Sequence, residues 1–242
     1  MEVIKLSATD STNAHLRRLM DRGAAADGTV VVAAVQTAGK GQRGNLWHAE
    51  AGKNLTFSLL KEFEGFPARR HFDLNMAVSM AILEELDALG ISGLRVKWPN
   101  DILSGGRKIC GILIENTMSG HRILKSVIGI GLNVNQGQFE GLPRAGSLFT
   151  VSGRSFDTDA LLQGLLAAIA KRLARLEPLP GNRLRSEYES KLFGKDQEAR
   201  FALPDQPPFK ATIRGVTEQG RLRLDGPDGL RKFGFGEIEM LY

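Results

Sequence analysis

The sequence of 242 residues contains one cysteine, Cys110, so no disulfide can form within the chain. Cys110 lies in the apolar run Ile109–Ile114, which favours a buried thiol over a nucleophile. The four histidines lack the spacing of a metal-ligand set. No apolar run approaches the roughly 20 residues of a membrane helix, and the N-terminus has no secretory signal. The sequence therefore predicts a cytoplasmic protein without a membrane segment or a structural zinc site.

A strong excess of charge of one sign is also missing. Lys and Arg number 32 against 27 Asp and Glu, for a net charge of +5, and the basic residues are spread along the chain. Nucleic-acid-binding proteins usually concentrate theirs on one stripe. A solvated surface accounts for the small surplus more simply than an anionic substrate does. We expect no nucleic-acid partner, and salt-dependent retention of DNA would instead support a nucleic-acid module.

The hydrophobic content of 42% predicts a globular core, and its periodicity predicts an α+β fold. Apolar residues recur at helical spacing from Pro67 to Gly90, and again from about Asp157, a predicted N-cap, to Leu176. A shorter helix is expected over Arg183–Leu192. Strands, several of them in antiparallel hairpins, are predicted at Thr29–Val35, Leu55–Leu60, Leu94–Trp98, Asp101–Leu103, Lys108–Glu115 and Ile123–Ile130.

The pattern changes after Gly194. Five short strand candidates with turn residues between them predict a small β-barrel of about fifty residues. These candidates are Glu198–Leu203, Lys210–Val216, Arg221–Leu224, Arg231–Phe235 and Ile238–Leu241. The predicted domains are 1–194, a mixed and largely antiparallel sheet flanked by helices, and 195–242, the barrel.

A glycine-rich segment follows the strand predicted at residues 29–35. Gly39–Gly44 fits the pattern G-x-G-x-x-G, which opens a helix in a dinucleotide-binding fold. The residues after it lead into another strand without a helical apolar stripe, so we reject that fold. Glycine N–H groups and the cations Lys40 and Arg43 can instead bind phosphate, although an ordinary surface loop fits equally well. Trp47 closes the segment and either stacks on a purine or belongs to the core.

Four segments together carry a specific resemblance. They are Asp10–Asn13, Gln36–Trp47, Lys97–Ile102 with Arg107–Glu115, and Ile128–Asn135. In this order and spacing they resemble the biotin–protein ligases, and Lys-Trp-Pro-Asn-Asp at residues 97–101 is highly specific for that family. The resemblance covers nearly the whole chain, including the C-terminal strands that hold Gly236-Glu237-Ile238.

The resemblance implies a catalytic domain like that of class II synthetases and a C-terminal SH3-like barrel. It implies an enzyme that converts biotin and MgATP to biotinyl-5'-AMP and pyrophosphate. The biotin then passes to a lysine of a biotin carboxyl carrier domain of acetyl-CoA carboxylase or a related carboxylase. A monomer or a homodimer is compatible with this activity. The alternatives are a lipoate–protein ligase and a non-catalytic sensor that binds biotin.

The resemblance also assigns residues to the ligands. The implied biotin-binding residues are Ser11, Thr12, Asn13, Gln36, Lys40, Gly41, Gln42, Lys108 and Gly111. The implied ATP- and adenylate-binding residues are Lys40, Arg43, Trp47, Asn100 and Asn133. Adenylation brings two anions together, so fixed positive charge from Lys108, Arg43 and Lys97 is expected to act there. Asp101 is expected to ligate Mg²⁺ or to deprotonate the acceptor lysine, with Glu115 as a weaker candidate base.

Several of these residues also have a purely structural interpretation. Ser11-Thr12-Asn13 is typical of a helix N-cap, because an apolar face begins at Leu16. Lys97 and Lys108 can be solvated strand residues, and Asp101 can be a turn aspartate after proline. The residue types alone leave these alternatives open.

Two features depart from the family pattern. Many members have arginines where this chain has Lys40 and Gln42, and the arginine that Gln42 replaces is linked to retention of the biotinyl-adenylate. Arg43 remains to supply that charge. Some members also carry an N-terminal helix-turn-helix domain and act as repressors, whereas here the Ser-Thr-Asn block begins at residue 11. We therefore expect no operator binding.

Overall fold

The computed structural model describes residues 1–176 and 181–242, and the side chains of all of these except Arg43 and Gly181. The predicted α+β class is confirmed, because a seven-stranded sheet and a five-stranded sheet combine with α-helices. No helix within the described residues is long and apolar enough to cross a membrane. The helices are α1 (Thr12–Asp21), α2 (His71–Ala88), α3 (Leu148–Ser152), α4 (Thr158–Leu173) and α5 (Gly181–Ser190).

The seven-stranded sheet, here called the large sheet, has the order β1-β2-β3-β7-β6-β5-β4, and only β1 and β2 run parallel among its paired strands. Its strands are β1 (Val3–Thr9), β2 (Val30–Gln36), β3 (Leu55–Pro67), β4 (Leu94–Lys97), β5 (Asp101–Ser104), β6 (Arg107–Ser119) and β7 (Arg122–Leu132). The five-stranded antiparallel sheet, here called the small sheet, has the order β11-β10-β9-β8-β12. Its strands are β8 (Glu198–Ala202), β9 (Phe209–Val216), β10 (Leu222–Gly226), β11 (Gly229–Phe233) and β12 (Glu239–Leu241). A domain boundary between residues 194 and 195 stays a prediction.

The two faces of the large sheet differ, because alternate residues of a strand point to opposite sides. One face carries large side chains such as Phe57 and Ile128 and belongs to the same apolar core as α2 and α4. Burying each such side chain stabilises the fold by about 1.5–3 kcal/mol. The opposite face carries Val31 and Leu60 and packs against Leu16 of α1. Since α1 is short, it covers only part of that face.

The element between β3 and α2 differs from its prediction. The strand predicted to end at Leu60 continues to Pro67, since residues up to Pro67 pair with the first residues of β7. A proline is tolerated at such a strand end, where its missing N–H removes no essential ladder bond. The helix predicted to open at Pro67 therefore begins at His71, after a 3₁₀ turn over Ala68–Arg70.

The N-cap predicted at Asp157 is confirmed. Its carboxylate accepts hydrogen bonds from the backbone N–H groups of Asp159 (2.8 Å) and Ala160 (3.0 Å). These bonds lower the pKa of Asp157. A cap of this kind satisfies backbone N–H groups that have no partner within the helix, so it helps to fix the start of α4.

Aromatic residues join the small sheet to the large sheet. Trp98 follows β4, and its indole N–H donates to the backbone oxygen of Gly220 (2.8 Å). Phe235 packs against Trp98, with ring centres 5.4 Å apart, and against Phe72 of α2, with ring centres 5.8 Å apart. A Cβ on Gly220 would overlap the Phe72 ring, so this close approach requires glycine. The small sheet is thereby held over one end of the large sheet.

Candidate active site

A cavity of about 500 Å³ opens on the face of the large sheet that α1 covers only in part. The glycine-rich segment at residues 40–47 and residues of the small sheet form its other walls. Thirteen of the residues assigned to ligands from the sequence line this cavity. They are Ser11, Thr12, Asn13, Gln36, Lys40, Gly41, Gln42, Trp47, Lys97, Asn100, Asp101, Lys108 and Gly111.

Strand register places the key cavity residues in one row across the large sheet. Lys97 of β4 pairs with Asp101 of β5, and Asp101 pairs with Gly111 of β6. Gly111 pairs with Gly131 of β7, which in turn pairs with Thr56 of β3. Directly paired residues of adjacent strands point to the same face. The row therefore runs from a neutral polar end at β3, across two glycines, to a charged end at β4 and β5.

Neutral side chains form a hydrogen-bonded network at the polar end. Gln36 Oε1 accepts from the backbone N–H of Thr12 (2.7 Å) and from its hydroxyl (3.1 Å). Ser58 Oγ lies 2.7 Å from Thr12 Oγ1 and donates to Asn13 Oδ1 (2.6 Å). Asn13 Nδ2 donates to Glu115 Oε2 (2.7 Å). Because Thr12, Asn13 and Ser58 are buried and paired, the network is fixed before a ligand arrives.

Ser11 occupies the N-cap position of α1, as the structural interpretation of the sequence predicts. Its side chain forms no capping hydrogen bond, and it is only 4% exposed while lining the cavity. The residue is held from behind, because its backbone N–H donates to Asp10 Oδ1 (2.8 Å). Two hydrogen bonds from Arg18 hold the pKa of Asp10 well below its usual range. The Ser11 hydroxyl is thus presented to the cavity rather than used by the helix.

Glycines form the floor of the cavity between its two ends. A Cβ on Gly129 would overlap the Asn13 amide, and a Cβ on Gly131 would overlap the Trp47 indole. A Cβ on Gly111 would also lie 3.2 Å from the Trp47 ring. The indole therefore lies in the cavity and not in the core. Its N–H is buried without a hydrogen-bond partner among the described residues.

Charged side chains meet at the other end. Lys108 Nζ lies 2.7 Å from Asp101 Oδ1 and 5.7 Å from the centre of the Trp47 ring. Burial is the main cause that lowers the pKa of Lys97, and the charges of Lys108 and Arg144 lower it further against the attraction of Asp101. Both lysines face the cavity, where a bound anion would meet charge with less screening than in bulk water.

Three predicted residues stand apart from this arrangement. Asn100 lines the cavity, but its amide donates to the backbone oxygen of Ile112 (2.7 Å). Asn133 is not among the described residues that line the cavity. Its Nδ2 donates to Gly146 O (2.9 Å), and its Oδ1 is buried without a partner among the described residues. The side chain of Arg43 lies outside the described part of the chain. The ligand roles of Asn100, Asn133 and Arg43 stay predictions.

Other cavity residues carry no prediction from the sequence. Thr56 alternates with large apolar residues in β3, as does Ser58 behind the cavity wall, and Gly129 and Gly131 do so in β7. Small or polar residues at every second position of a strand are a local signal for an open face. The residues Ile238–Met240 reach the cavity from the small sheet. They have no local signal, because only tertiary packing brings them there.

The fold and the cavity define the class to which the protein belongs. The chain belongs to the biotin/lipoate A/B protein ligase family, whose model matches residues 6–133. A second model, the biotin protein ligase C terminal domain, matches residues 196–241, which contain the whole small sheet. The resemblance to the biotin–protein ligases is confirmed.

Individual relatives agree with the family models. A bifunctional ligase/repressor BirA from Bacillus spizizenii is 31% identical over 221 residues, which cover 89% of this chain and 67% of that protein. A biotin–[acetyl-CoA-carboxylase] ligase from Mycobacterium tuberculosis is 31% identical over 91% of this chain and 82% of its own length. The biotin protein ligase from Aquifex aeolicus, solved in complex with biotin and ATP, superposes with a TM-score of 0.81. It is 26% identical, and the match covers 99% of this chain and 98% of that one.

Proposed function

We propose that this chain is a biotin–protein ligase. It forms biotinyl-5'-AMP and pyrophosphate from biotin and MgATP, and it then transfers biotin to a lysine of a biotin carboxyl carrier domain. The observation that carries the proposal is the row of paired residues from Thr56 to Lys97, which joins a neutral polar site to a cationic site across a glycine floor. The family match and the names of the relatives support the same reaction.

The polar end of the cavity suits the ureido ring of biotin. That ring has donors and acceptors that must be paired when buried, since each unpaired group costs about 1–3 kcal/mol. Ser11 presents a hydroxyl that its helix does not use, and Thr12, Asn13 and Gln36 are already held by the network. The valeryl chain then runs along the glycine floor beside the Trp47 ring, which itself lies against Gly111. This orientation directs the carboxylate of biotin toward Lys108.

Adenylation takes place at the cationic end. A carboxylate oxygen of biotin bonds to the α-phosphorus of ATP, and the bond from that phosphorus to the β-phosphate oxygen breaks. Pyrophosphate leaves with the electron pair. Lys108 and Lys97 stabilise the negative charge on the phosphoryl oxygens, and the ion pair with Asp101 fixes the direction of Lys108. Trp47 and Lys40 are assigned to the nucleotide, together with Arg43, as the resemblance implies.

A magnesium ion fits this site through the substrate. No group of three or more metal-ligating side chains occurs in the described residues. Magnesium usually binds through one or two carboxylates together with substrate phosphates. Asp101 lines the cavity and would be its protein ligand, while the ion would neutralise phosphate charge. This assignment rests on donor chemistry.

Transfer requires that the acceptor lysine lose a proton. At pH 7 only about one free lysine in a few thousand is neutral. Asp101 and Glu239 are the carboxylates that line the cavity within the described residues, and we assign the proton to Asp101. Glu115 is the weaker candidate, because it does not line the cavity and its oxygens are engaged by Asn13 (2.7 Å) and Arg17 (3.2 Å). The lysine nitrogen bonds to the carbonyl carbon of the adenylate, and AMP leaves.

The direct test is labelling of a carboxyl carrier domain. The purified chain is incubated with the carrier, biotin, ATP and magnesium, and the carrier is analysed by mass spectrometry. We expect the mass of one biotinyl group on one lysine, and none on a carrier whose acceptor lysine is replaced by arginine. A parallel pyrophosphate-exchange assay compares biotin with lipoate. Exchange with lipoate alone would assign the alternative substrate, and biotin binding without exchange would assign a sensor.

The setting of the reaction is also part of this proposal. We propose that the chain acts in the cytoplasm as a monomer or homodimer and without a nucleic-acid partner. Light scattering combined with size-exclusion chromatography measures the oligomeric state. Retention of DNA at low salt that is lost at high salt would contradict the absence of a nucleic-acid partner.

A further inference from the structure

The ring of Tyr242 contacts two cations beside the cationic end of the cavity. Lys97 Nζ lies 4.9 Å from the ring centre, and the guanidinium carbon of Arg144 lies 4.4 Å from it. Phe193 packs edge-on against the same ring at 5.3 Å and also lines the cavity. The negative faces of aromatic rings attract cations. Tyr242 therefore holds two like charges close together, at a position where they would otherwise repel each other.

The backbone of Arg144 is fixed to the strand that carries Lys108. The backbone N–H of Lys108 donates to Arg144 O (2.7 Å), and the N–H of Gly146 donates to Lys108 O (2.9 Å). These two bonds set the segment around Arg144 beside the start of β6, although that segment belongs to no strand. The guanidinium of Arg144 is thus placed by its backbone as well as by the ring of Tyr242.

Arg144 is available to an anionic ligand. It is exposed, and no carboxylate among the described residues lies within ion-pair distance of it. Lys97 also forms no ion pair among these residues; burial is the main cause that lowers its pKa, and the charge of Arg144 contributes to the lowering. A multiply charged anion beside the Tyr242 ring would pair with both cations. A planar guanidinium is suited to it, because it binds two phosphate oxygens at once.

We propose that Arg144, held on the ring of Tyr242, binds the terminal phosphates of ATP and the pyrophosphate released from them, together with Lys97. The inference rests on the proposed adenylation reaction and adds to it a binding residue, Arg144, and a positioning residue, Tyr242. Lys108 then serves the α-phosphate and the biotin carboxylate, while Lys97 and Arg144 serve the leaving group. With separate cations for the α-phosphate and for the β- and γ-phosphates, the negative charge that develops on the departing pyrophosphate is stabilised.

The test measures binding of inorganic pyrophosphate by calorimetry at fixed magnesium. Arg144→Ala should weaken pyrophosphate binding about tenfold or more and should raise the KM for ATP by a similar factor. Biotin affinity should not change. The rate of transfer from chemically supplied biotinyl-5'-AMP should also not change, because that compound has no terminal phosphates. Wild-type pyrophosphate affinity in Arg144→Ala would overturn the proposal.

Two further comparisons separate positioning from simple loss of charge. Tyr242→Leu should lose much of the pyrophosphate affinity. Tyr242→Phe should recover the part that depends on the ring, since it lacks only the hydroxyl, which also interacts with Arg144. Arg231→Ala is the matched control, since Arg231 also stacks on an aromatic ring, Phe233 (5.0 Å), but lines a separate pocket of the small sheet and shares no ring with Lys97. It should bind pyrophosphate as the wild type does. An equal loss in Arg231→Ala would overturn the role of Arg144.

The proposed function can fail independently of this inference. A wild-type chain that binds pyrophosphate through Arg144 but forms no biotinyl-5'-AMP would refute the ligase reaction and would still support the anion site. A chain that labels its carrier normally and binds pyrophosphate equally well in both Arg144 and Tyr242 variants would support the ligase reaction and refute the anion site.

Discussion

The ammonium of Lys108 lies 2.7 Å from the carboxylate of Asp101, and the two residues come from adjacent strands. The pair is partly desolvated, since the Asp101 side chain is 16% exposed and that of Lys108 is 35% exposed. An ion pair in this setting fixes the direction of the ammonium more than it stabilises the fold. We therefore expect this ion pair to affect the rate of adenylation more than the free energy of unfolding.

Replacement of Lys108 by alanine should separate biotin binding from its activation. The polar end of the cavity remains intact, so we expect biotin affinity within a factor of a few of the wild type. Loss of the fixed cation should slow adenylate formation by about 10²–10³-fold, the usual effect of removing one such group. Pyrophosphate exchange measures the rate, and calorimetry measures the affinity.

The matched control for this change is Lys125→Ala. Lys125 also lies on a strand of the large sheet, and it forms an ion pair with Glu62 (2.6 Å) on the adjacent strand. It does not line the cavity. Adenylation in Lys125→Ala should match the wild type. An unchanged rate in Lys108→Ala would remove Lys108 from the reaction.

The two floor glycines of β7 should control different ligands. Gly129→Ala places a methyl group against Asn13 and should raise the dissociation constant for biotin at least about tenfold, equivalent to about 1.4 kcal/mol. Gly131→Ala displaces the Trp47 indole and should weaken the nucleotide instead. Calorimetric titration of each variant with biotin and, separately, with MgATP gives the four constants. Weakening of the same ligand in both variants would contradict this division of the floor.

The indole N–H of Trp98 should contribute to stability. Trp98→Phe removes its hydrogen bond to Gly220 and should lower the free energy of unfolding by about 1 kcal/mol. Trp47→Phe is the control, because the Trp47 N–H has no partner among the described residues and its loss breaks no bond. Urea unfolding compares the two variants. Equal midpoints would show that the bond between the sheets contributes nothing.

The charge of Lys97 should make stability depend on pH in a defined direction. Burial lowers the pKa of Lys97 in the folded chain below 10.5, so the unfolded chain holds this proton more tightly. The contribution of Lys97 to the free energy of unfolding therefore rises with pH between its lowered pKa in the folded chain and about 10.5. At neutral pH the charged side chain lowers the free energy of unfolding. Lys97→Met should thus raise the urea midpoint at pH 7, and the gain should shrink as the pH approaches that upper limit.

A second lysine serves as the control for this pH dependence. Lys210→Met removes an exposed ammonium that pairs with Glu198 (2.7 Å) on the small sheet. Its urea midpoint should not rise at pH 7. A midpoint of Lys97→Met at or below that of the wild type would contradict the cost assigned to the buried charge. The same variant should lose ATP affinity, which would explain why a destabilising lysine occupies this position.

Local patterns account for most of the elements but not for their edges. The hairpins of β4 to β7 follow from alternation and turn residues, and Asp157 marks the start of α4 by cap chemistry. The extension of β3 to Pro67 was missed, because the strand gains those residues only by pairing with β7. Pairing partners are distant in sequence, so no window along the chain reveals them.

The site shows the same division between local and distant information. Residue type and the family resemblance lead to Thr12, Gln36 and Lys108, which line the cavity. The network through Ser58 and the contact of Arg144 with Tyr242 depend on register and on packing between the two sheets. Alternation in β3 marks Ser58 as facing an open side of the sheet but does not identify its partners, and Arg144 has no local signal. In both cases the neighbours in space are far along the chain.

The glycine floor limits how the range of acids accepted by this chain can change. Gly111, Gly129 and Gly131 have no side-chain atoms to lose, so mutation there can make the cavity shallower but never deeper. A single substitution of a floor glycine should therefore be enough to favour a shorter or slimmer acid. A bulkier acid needs space from the segment around Trp47 or from the small sheet, both of which also serve the nucleotide or the contact between the sheets. Evolution toward larger vitamins or synthetic analogues should consequently proceed through those walls and at a cost in turnover.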